Sequence, residues 1–151
     1  GFSLALASDI RVAGESAKMN AAYIKIGLTG CDMGSSYFLP RLVGTSVSSE
    51  LLMTGRFIHA PRALAVGLVS EVVADDALKS AAQGFIDDML LTSPMGLRLT
   101  KEALNFSVDA SSLEAAMAVE DRHQSLLALT DDAVEAGLSF FEKRKPEYQD
   151  Q

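Results

Sequence analysis

The sequence predicts an α/β fold, a short mixed α/β stretch followed by a helical C-terminal region. Three observations predict it. Asp9-Ile10-Arg11-Val12-Ala13 alternates and stops at Gly14, the pattern of a short strand. Gly27, Gly30 and Gly34 punctuate a stretch with neither helical nor strand periodicity. From Asp75 onward the apolar spacing is helical almost to the end. The change falls between positions 74 and 75, which predicts two parts, 1–74 and 75–151.

The elements follow in order. Gly1 to Ala7 is apolar and fits a buried helix or a strand; periodicity alone leaves both open. Lys18 to Ala21 fits a second strand, and Ile24 to Gly34 a loop. Ser35 to Val43 predicts a short helix interrupted at Pro40. Ser46 to Thr54 predicts another, with Thr45 as its N-cap and Gly55 as its stop. Pro61 to Val66 is a short helix opened by proline and closed by Gly67. Leu68 to Val73 reads as a strand. Beyond it, Asp75-Asp76 starts a helix to about Leu91, and Ser93-Pro94 starts one to about Phe106. Ser111 or Ser112 caps a third to about Leu129, with Glu114 in capping-box register to Ser111. Thr130-Asp131-Asp132 caps the last, which reaches Phe141.

Composition narrows the function classes. The chain has 151 residues and a net charge of -7. An acidic balance argues against nonspecific nucleic-acid binding, which needs Lys and Arg to neutralise phosphates. Cys31 is the only cysteine, so there is no internal disulfide framework. No apolar run approaches the roughly 18 residues of a membrane span. No metal-ligand spacing is present, and a reducing cytoplasmic setting fits. The chain opens on Gly1-Phe2-Ser3-Leu4 without an initiator Met and enters core-like sequence at once, which predicts a fragment or a processed chain.

Four blocks carry a resemblance. Gly1-Phe2-Ser3-Leu4-Ala5-Leu6-Ala7-Ser8-Asp9-Ile10-Arg11-Val12-Ala13 opens the chain. Ile24-Lys25-Ile26-Gly27-Leu28 leads to Tyr37-Phe38-Leu39-Pro40-Arg41-Leu42-Val43-Gly44. Leu52-Met53-Thr54-Gly55-Arg56-Phe57-Ile58 precedes Ala65-Val66-Gly67-Leu68-Val69-Ser70-Glu71-Val72-Val73. Phe140-Phe141-Glu142-Lys143-Arg144-Lys145-Pro146 closes the set. In this order and spacing the chain resembles the C-terminal portion of the enoyl-CoA hydratase/isomerase, or crotonase, family.

The resemblance implies a crotonase-like ββα spiral fragment over 1–74 and a helical C-terminal trimerisation region over 75–151, in a homotrimer or hexamer. It implies enolate chemistry on fatty acyl-CoA, with two backbone N–H groups holding the thioester oxygen. One of those donors would sit immediately before Gly1 and the other far upstream, so this chain alone is not expected to be a complete catalyst. Coenzyme A thioester is the implied substrate, with no further cofactor.

The two glutamates of the family's hydratases align with Ser3 and Tyr23. Both can hydrogen-bond a water or a carbonyl, but neither a serine hydroxyl nor a tyrosine phenol is a natural base near neutral pH. Asp32, in Gly30-Cys31-Asp32-Met33-Gly34, stands near the place where some family isomerases carry a proton-moving acid. Its alternative role is to cap the helix that follows. The reading is therefore isomerase-like more than standard hydratase. A noncatalytic acyl-CoA-binding or scaffold subunit is the alternative.

Phe140 and Lys143 match the family's CoA contacts: an aromatic beside the acyl group and a cation for its oxygens. A basic helix end complementing its own dipole is the competing explanation. Cys31 is expected as a small buried hydrophobe. His59 and His123 are expected as surface or packing residues.

Overall fold

The computed structural model describes residues 1–151, which form two compact units, Gly1–Gln83 and Gly84–Gln151. The first unit opens with α1 (Phe2–Leu6), β1 (Val12–Gly14) and β2 (Lys18–Met19), then a 3-10 helix at Ala22–Ile26. It continues through α2 (Ser35–Thr54), β3 (Ile58–His59), α3 (Ala60–Ala65) and β4 (Glu71–Val73). A 3-10 turn at Asp75–Ala77 leads into α4 (Leu78–Met89). The second unit holds α5 (Pro94–Ser107), α6 (Leu113–Leu127) and α7 (Asp131–Glu142).

The strands are shorter than the alternation suggested. β1 pairs parallel with β4, Val12 opposite Glu71 and Gly14 opposite Val73. β2 pairs antiparallel with β3, Lys18 opposite His59 and Met19 opposite Ile58. Leu68 and Val69 stay out of β4 because their N–H groups both turn back to the Ala63 carbonyl.

The core of the first unit is aliphatic. Leu39, Leu51, Ile58 and Leu68 are fully buried, with Leu6, Ala60 and Ala63 beside them. Each large side chain so buried contributes about 1.5–3 kcal/mol over its exposed state. α1 and α2 pack together, which brings the start of one against the loop before the other.

Pro40 does not interrupt its helix. A proline at this depth forfeits one main-chain hydrogen bond and is carried. The break lies at Gly44, whose φ of 75° and ψ of 167° leave the right-handed helix altogether.

In the second unit three hydroxyls cap three helices. Ser93 accepts from the Gly96 N–H at 3.0 Å, Ser112 from Ala115 at 3.2 Å, and Thr130 from Ala133 at 3.1 Å. With Ser112 as the cap, Glu114 sits one place too early for a capping box. Its carboxyl is instead held below the usual range by its own backbone N–H and by Ser112.

His123 is buried on α6 beside a groove of about 300 Å³ lined by α5 and α6. Its Nε2 meets Arg122 at 3.0 Å and Glu102 at 3.4 Å.

Asp132, in the first turn of α7, is also buried. Its carboxylate accepts the backbone N–H groups of Gln149 and Asp150 at 2.8 and 3.0 Å. Those two bonds fold the last residues back onto the start of α7. Glu135 holds the same tail further along, through Arg144 and the Glu147 N–H.

Candidate functional site

Ser3, Tyr23 and Asp32 come together in the first unit, and Ser35 joins them. Ser3 is on α1, and its buried hydroxyl donates to the Asp32 carbonyl at 2.9 Å. Tyr23 stands on the 3-10 helix Ala22–Ile26, and its phenol donates to the Ser35 hydroxyl at 3.1 Å. Ser35 is the first residue of α2 and is wholly buried. The same Ser35 oxygen accepts the Asp32 N–H at 3.0 Å.

The backbone of Asp32 is thus tied at both polar atoms. Its carbonyl also accepts the Ser35 N–H at 3.0 Å, closing a four-residue turn. The central residues, Met33 and Gly34, have φ of 47° and 84°. Two successive left-handed residues define the tight primed turn, in which a methionine is costly. The turn leaves Asp32 exposed, its carboxylate accepting the Met33 N–H at 2.9 Å.

Asp32 does not cap α2. The N-cap is Gly34, and no side chain accepts a hydrogen bond there. The helix-capping alternative is therefore not the role the geometry gives this carboxylate.

The loop backbone is packed as tightly as its ends are bonded. A side chain at Gly30 would place its Cβ 2.0 Å from the Leu52 carbonyl oxygen. Only glycine fits that approach. Cys31 follows in the exposed part of the loop, where its N–H donates to Thr29. The expectation of a small buried hydrophobe is corrected: the turn, not the core, holds this residue.

Gly1 precedes α1 as its N-cap, and its carbonyl accepts the Ala5 N–H at 3.0 Å. His59 is exposed on β3.

Phe140 and Lys143 belong to the second unit. Phe140 is 79% exposed and meets the ring of Phe141 edge-to-face, centroids 5.9 Å apart. Lys143 ends α7 in the left-handed conformation, φ 55°. Its neighbour Arg144 is engaged: it pairs with Glu135 through two nitrogens, at 2.5 and 2.8 Å, and with Glu142 at 2.6 Å. Arg144 therefore braces the tail.

Ser35 is the residue that sequence reasoning missed. Its signal was available: a hydroxyl residue three places after a loop acid, at a helix start, is spaced to accept that acid's N–H. No group of three or more His, Cys, Asp or Glu side chains is arranged to hold a metal ion. No helix is long and apolar enough to cross a membrane.

The constellation offers one exposed carboxylate on a turn whose main chain is bonded to the Ser3 and Ser35 hydroxyls, with the Tyr23 phenol on Ser35. Such a set can accept or return a proton and orient a polar group.

The family described as enoyl-CoA hydratase/isomerase matches residues 1–151. A probable enoyl-CoA hydratase of Mycobacterium tuberculosis is 42% identical over 151 residues, covering 99% of this chain and 53% of the relative. The mitochondrial methylglutaconyl-CoA hydratase of Homo sapiens is 35% identical, covering 98% of this chain and 44% of the relative. Among solved structures, a probable enoyl-CoA hydratase/isomerase from Mycobacterium abscessus superimposes with a TM-score of 0.91 at 40% identity, over 99% of this chain and 58% of that one. An enoyl-CoA hydratase from Bacillus anthracis gives 0.91 at 32% identity, over 97% and 56%. The chain spans about half the length of the relatives it matches. Its α/β architecture is the crotonase fold, and the chain belongs to the enoyl-CoA hydratase/isomerase family.

Proposed function

We propose that this chain supplies one side of a fatty acyl-CoA thioester site whose chemistry is double-bond isomerisation more than standard hydration. The observation that carries the reading is the state of Asp32. Its carboxylate is exposed on a turn fixed at both backbone polar atoms, and it is not spent on capping. The positions aligned with the hydratase glutamates hold Ser3 and Tyr23.

In this reading the thioester oxygen is held by backbone N–H groups of the Gly1 region and of a second segment outside this chain. Charge that develops on that oxygen is stabilised by fixed donors. The Asp32 carboxylate takes a proton from the carbon beside the thioester and returns it further along the acyl chain. The double bond moves into conjugation, and no proton or electron is gained or lost overall. Ser3 and Tyr23 orient the acyl group or a water beside it.

Phe140 and Lys143 serve the CoA: the exposed ring packs on it and the ammonium meets its oxygens. No further cofactor is required. The helical 75–151 part is proposed to form the trimer contact of a homotrimer or hexamer in the cytoplasm. The same loss of both aligned acids favours a second reading, a noncatalytic acyl-CoA-binding or scaffold subunit.

The test is a paired spectrophotometric assay of the natural protein that contains this chain, with 3-enoyl-CoA and 2-enoyl-CoA. Conversion of the 3-enoyl substrate, abolished by Asp32→Asn and without hydration of 2-enoyl-CoA, is the expected result. Efficient hydration of 2-enoyl-CoA overturns the isomerase reading. Thioester binding with no turnover of either substrate brings the scaffold reading forward.

A further inference from the structure

The Ser35 hydroxyl lies between two groups that the reading above asks to act together. It accepts from the Tyr23 phenol at 3.1 Å and from the Asp32 N–H at 3.0 Å. Ser35 is wholly buried, so its oxygen is shielded from water and kept for these two donors. Its own N–H donates to the Asp32 carbonyl, so one residue grips Asp32 at both of its main-chain polar atoms. The third hold, from Ser3, comes through a different element. Ser35 is itself the first residue of a helix anchored in the core through Leu39 and Leu51.

We propose that Ser35 is the positioning residue of this site, its hydroxyl coupling the Tyr23 phenol to the Asp32 turn so that the two groups keep one register. This rests on the isomerase reading for its chemistry and on geometry alone for the coupling. Ser35 touches no reacting atom; it acts through its two partners. Two donors on one oxygen fix the orientation of the Ser35 side chain between them, so the loss of one frees the hydroxyl to rotate away from the other. Without the hydroxyl, the Asp32 N–H and the Tyr23 phenol both lose their acceptor. The turn with its left-handed Met33 then loses one of the bonds that hold it.

The experiment uses the natural protein containing this chain, with variants Ser35→Ala, Ser35→Thr, Tyr23→Phe and the Ser35→Ala/Tyr23→Phe pair. Amide hydrogen exchange at Asp32 is the first readout. It should rise about tenfold in Ser35→Ala, the scale of one lost hydrogen bond, while the Leu51 and Leu68 amides keep their protection. Ser35→Thr, which retains the hydroxyl, should restore protection. Tyr23→Phe should also speed exchange at Asp32 although it leaves Ser35 in place. That arm remains decisive if Ser35→Ala does not fold.

The second readout is turnover of 3-enoyl-CoA. Ser35→Ala should lower kcat with KM nearly unchanged, and its effect should be smaller in the Tyr23→Phe background than in the wild type. Unchanged Asp32 exchange in both Ser35→Ala and Tyr23→Phe overturns the proposal, as do fully multiplicative effects on kcat. If the protein turns over no 3-enoyl-CoA yet exchange responds as expected, the isomerase reading fails and the coupling stands. If turnover is present and exchange does not respond, the reverse holds.

Discussion

The hydroxyl of Ser3 and the main-chain carbonyl of Asp32, 29 positions apart in the sequence, meet at 2.9 Å. The first helix is thus bonded directly to the Asp32 turn. Ser3→Ala leaves that carbonyl with the Ser35 N–H alone. The expected cost is about 1 kcal/mol in urea unfolding, with faster amide exchange at Met33 and Gly34. An undiminished unfolding midpoint and unaltered exchange would show that the contact holds nothing in place.

Met33 occupies a left-handed backbone at φ 47°. A β-branched side chain tolerates this least, and glycine tolerates it freely. Met33→Val should therefore be less stable than Met33→Gly by about 1–3 kcal/mol in paired denaturant titrations. Met33→Gly itself should stay close to the parent, because relief of strain is offset by the greater freedom of glycine in the unfolded chain. Equal midpoints for the two variants would mean that the turn relaxes to another conformation in solution.

Arg144 and the Glu147 N–H together pull the carboxyl of Glu135 down to about 2 from its usual 4.5. A carboxyl depressed in the folded state contributes stability that is complete above its unfolded value. That contribution is lost as pH falls through the folded one. The tail should therefore stay docked above about pH 4.5 and loosen towards about pH 2. NMR exchange at the Glu147 amide, followed through that window, should show protection falling with acid. Glu135→Gln should shed that protection at neutral pH. Protection that persists to the bottom of the window would assign the docking to Asp132 instead.

Lys143 combines a proposed ligand cation with a left-handed helix end. Lys143→Gly separates the two, since glycine accepts that backbone readily. The variant should unfold like the parent while binding an acyl-CoA thioester about tenfold more weakly in calorimetry, the scale of one charge-assisted hydrogen bond. Lys143→Met, which keeps the bulk, should weaken binding equally. Unaltered affinity in both would leave the lysine as a helix terminus only.

Much of the fold was legible because local signals and tertiary packing agree. Ser93 and Thr130 announced their helices by chemistry that the structure uses unchanged. Gly55 stops α2 with φ 58°. Pro40 misled, because the backbone break had moved to Gly44, and a single sequence gives no weight to one breaker over another. Asp132 reads only as part of a helix start, yet its partners are main-chain N–H groups seventeen and eighteen residues away, which no local pattern encodes. In the candidate site, Ser3, Tyr23 and Asp32 were found by position within a resemblance. That they share a hydrogen-bonded cluster, and that Ser35 sits at its hub, depends on α1 packing against α2.

The contact between Gly30 and the Leu52 carbonyl gives the loop a fixed baseline. A methyl group there would need space already filled by main chain, which cannot rotate aside as a side chain can. The loop would have to lift from the end of α2, carrying the Asp32 carboxylate outward while Ser3 stayed seated on α1. Position 30 thus sets the height of a carboxylate two residues on, through a residue that has no side chain of its own.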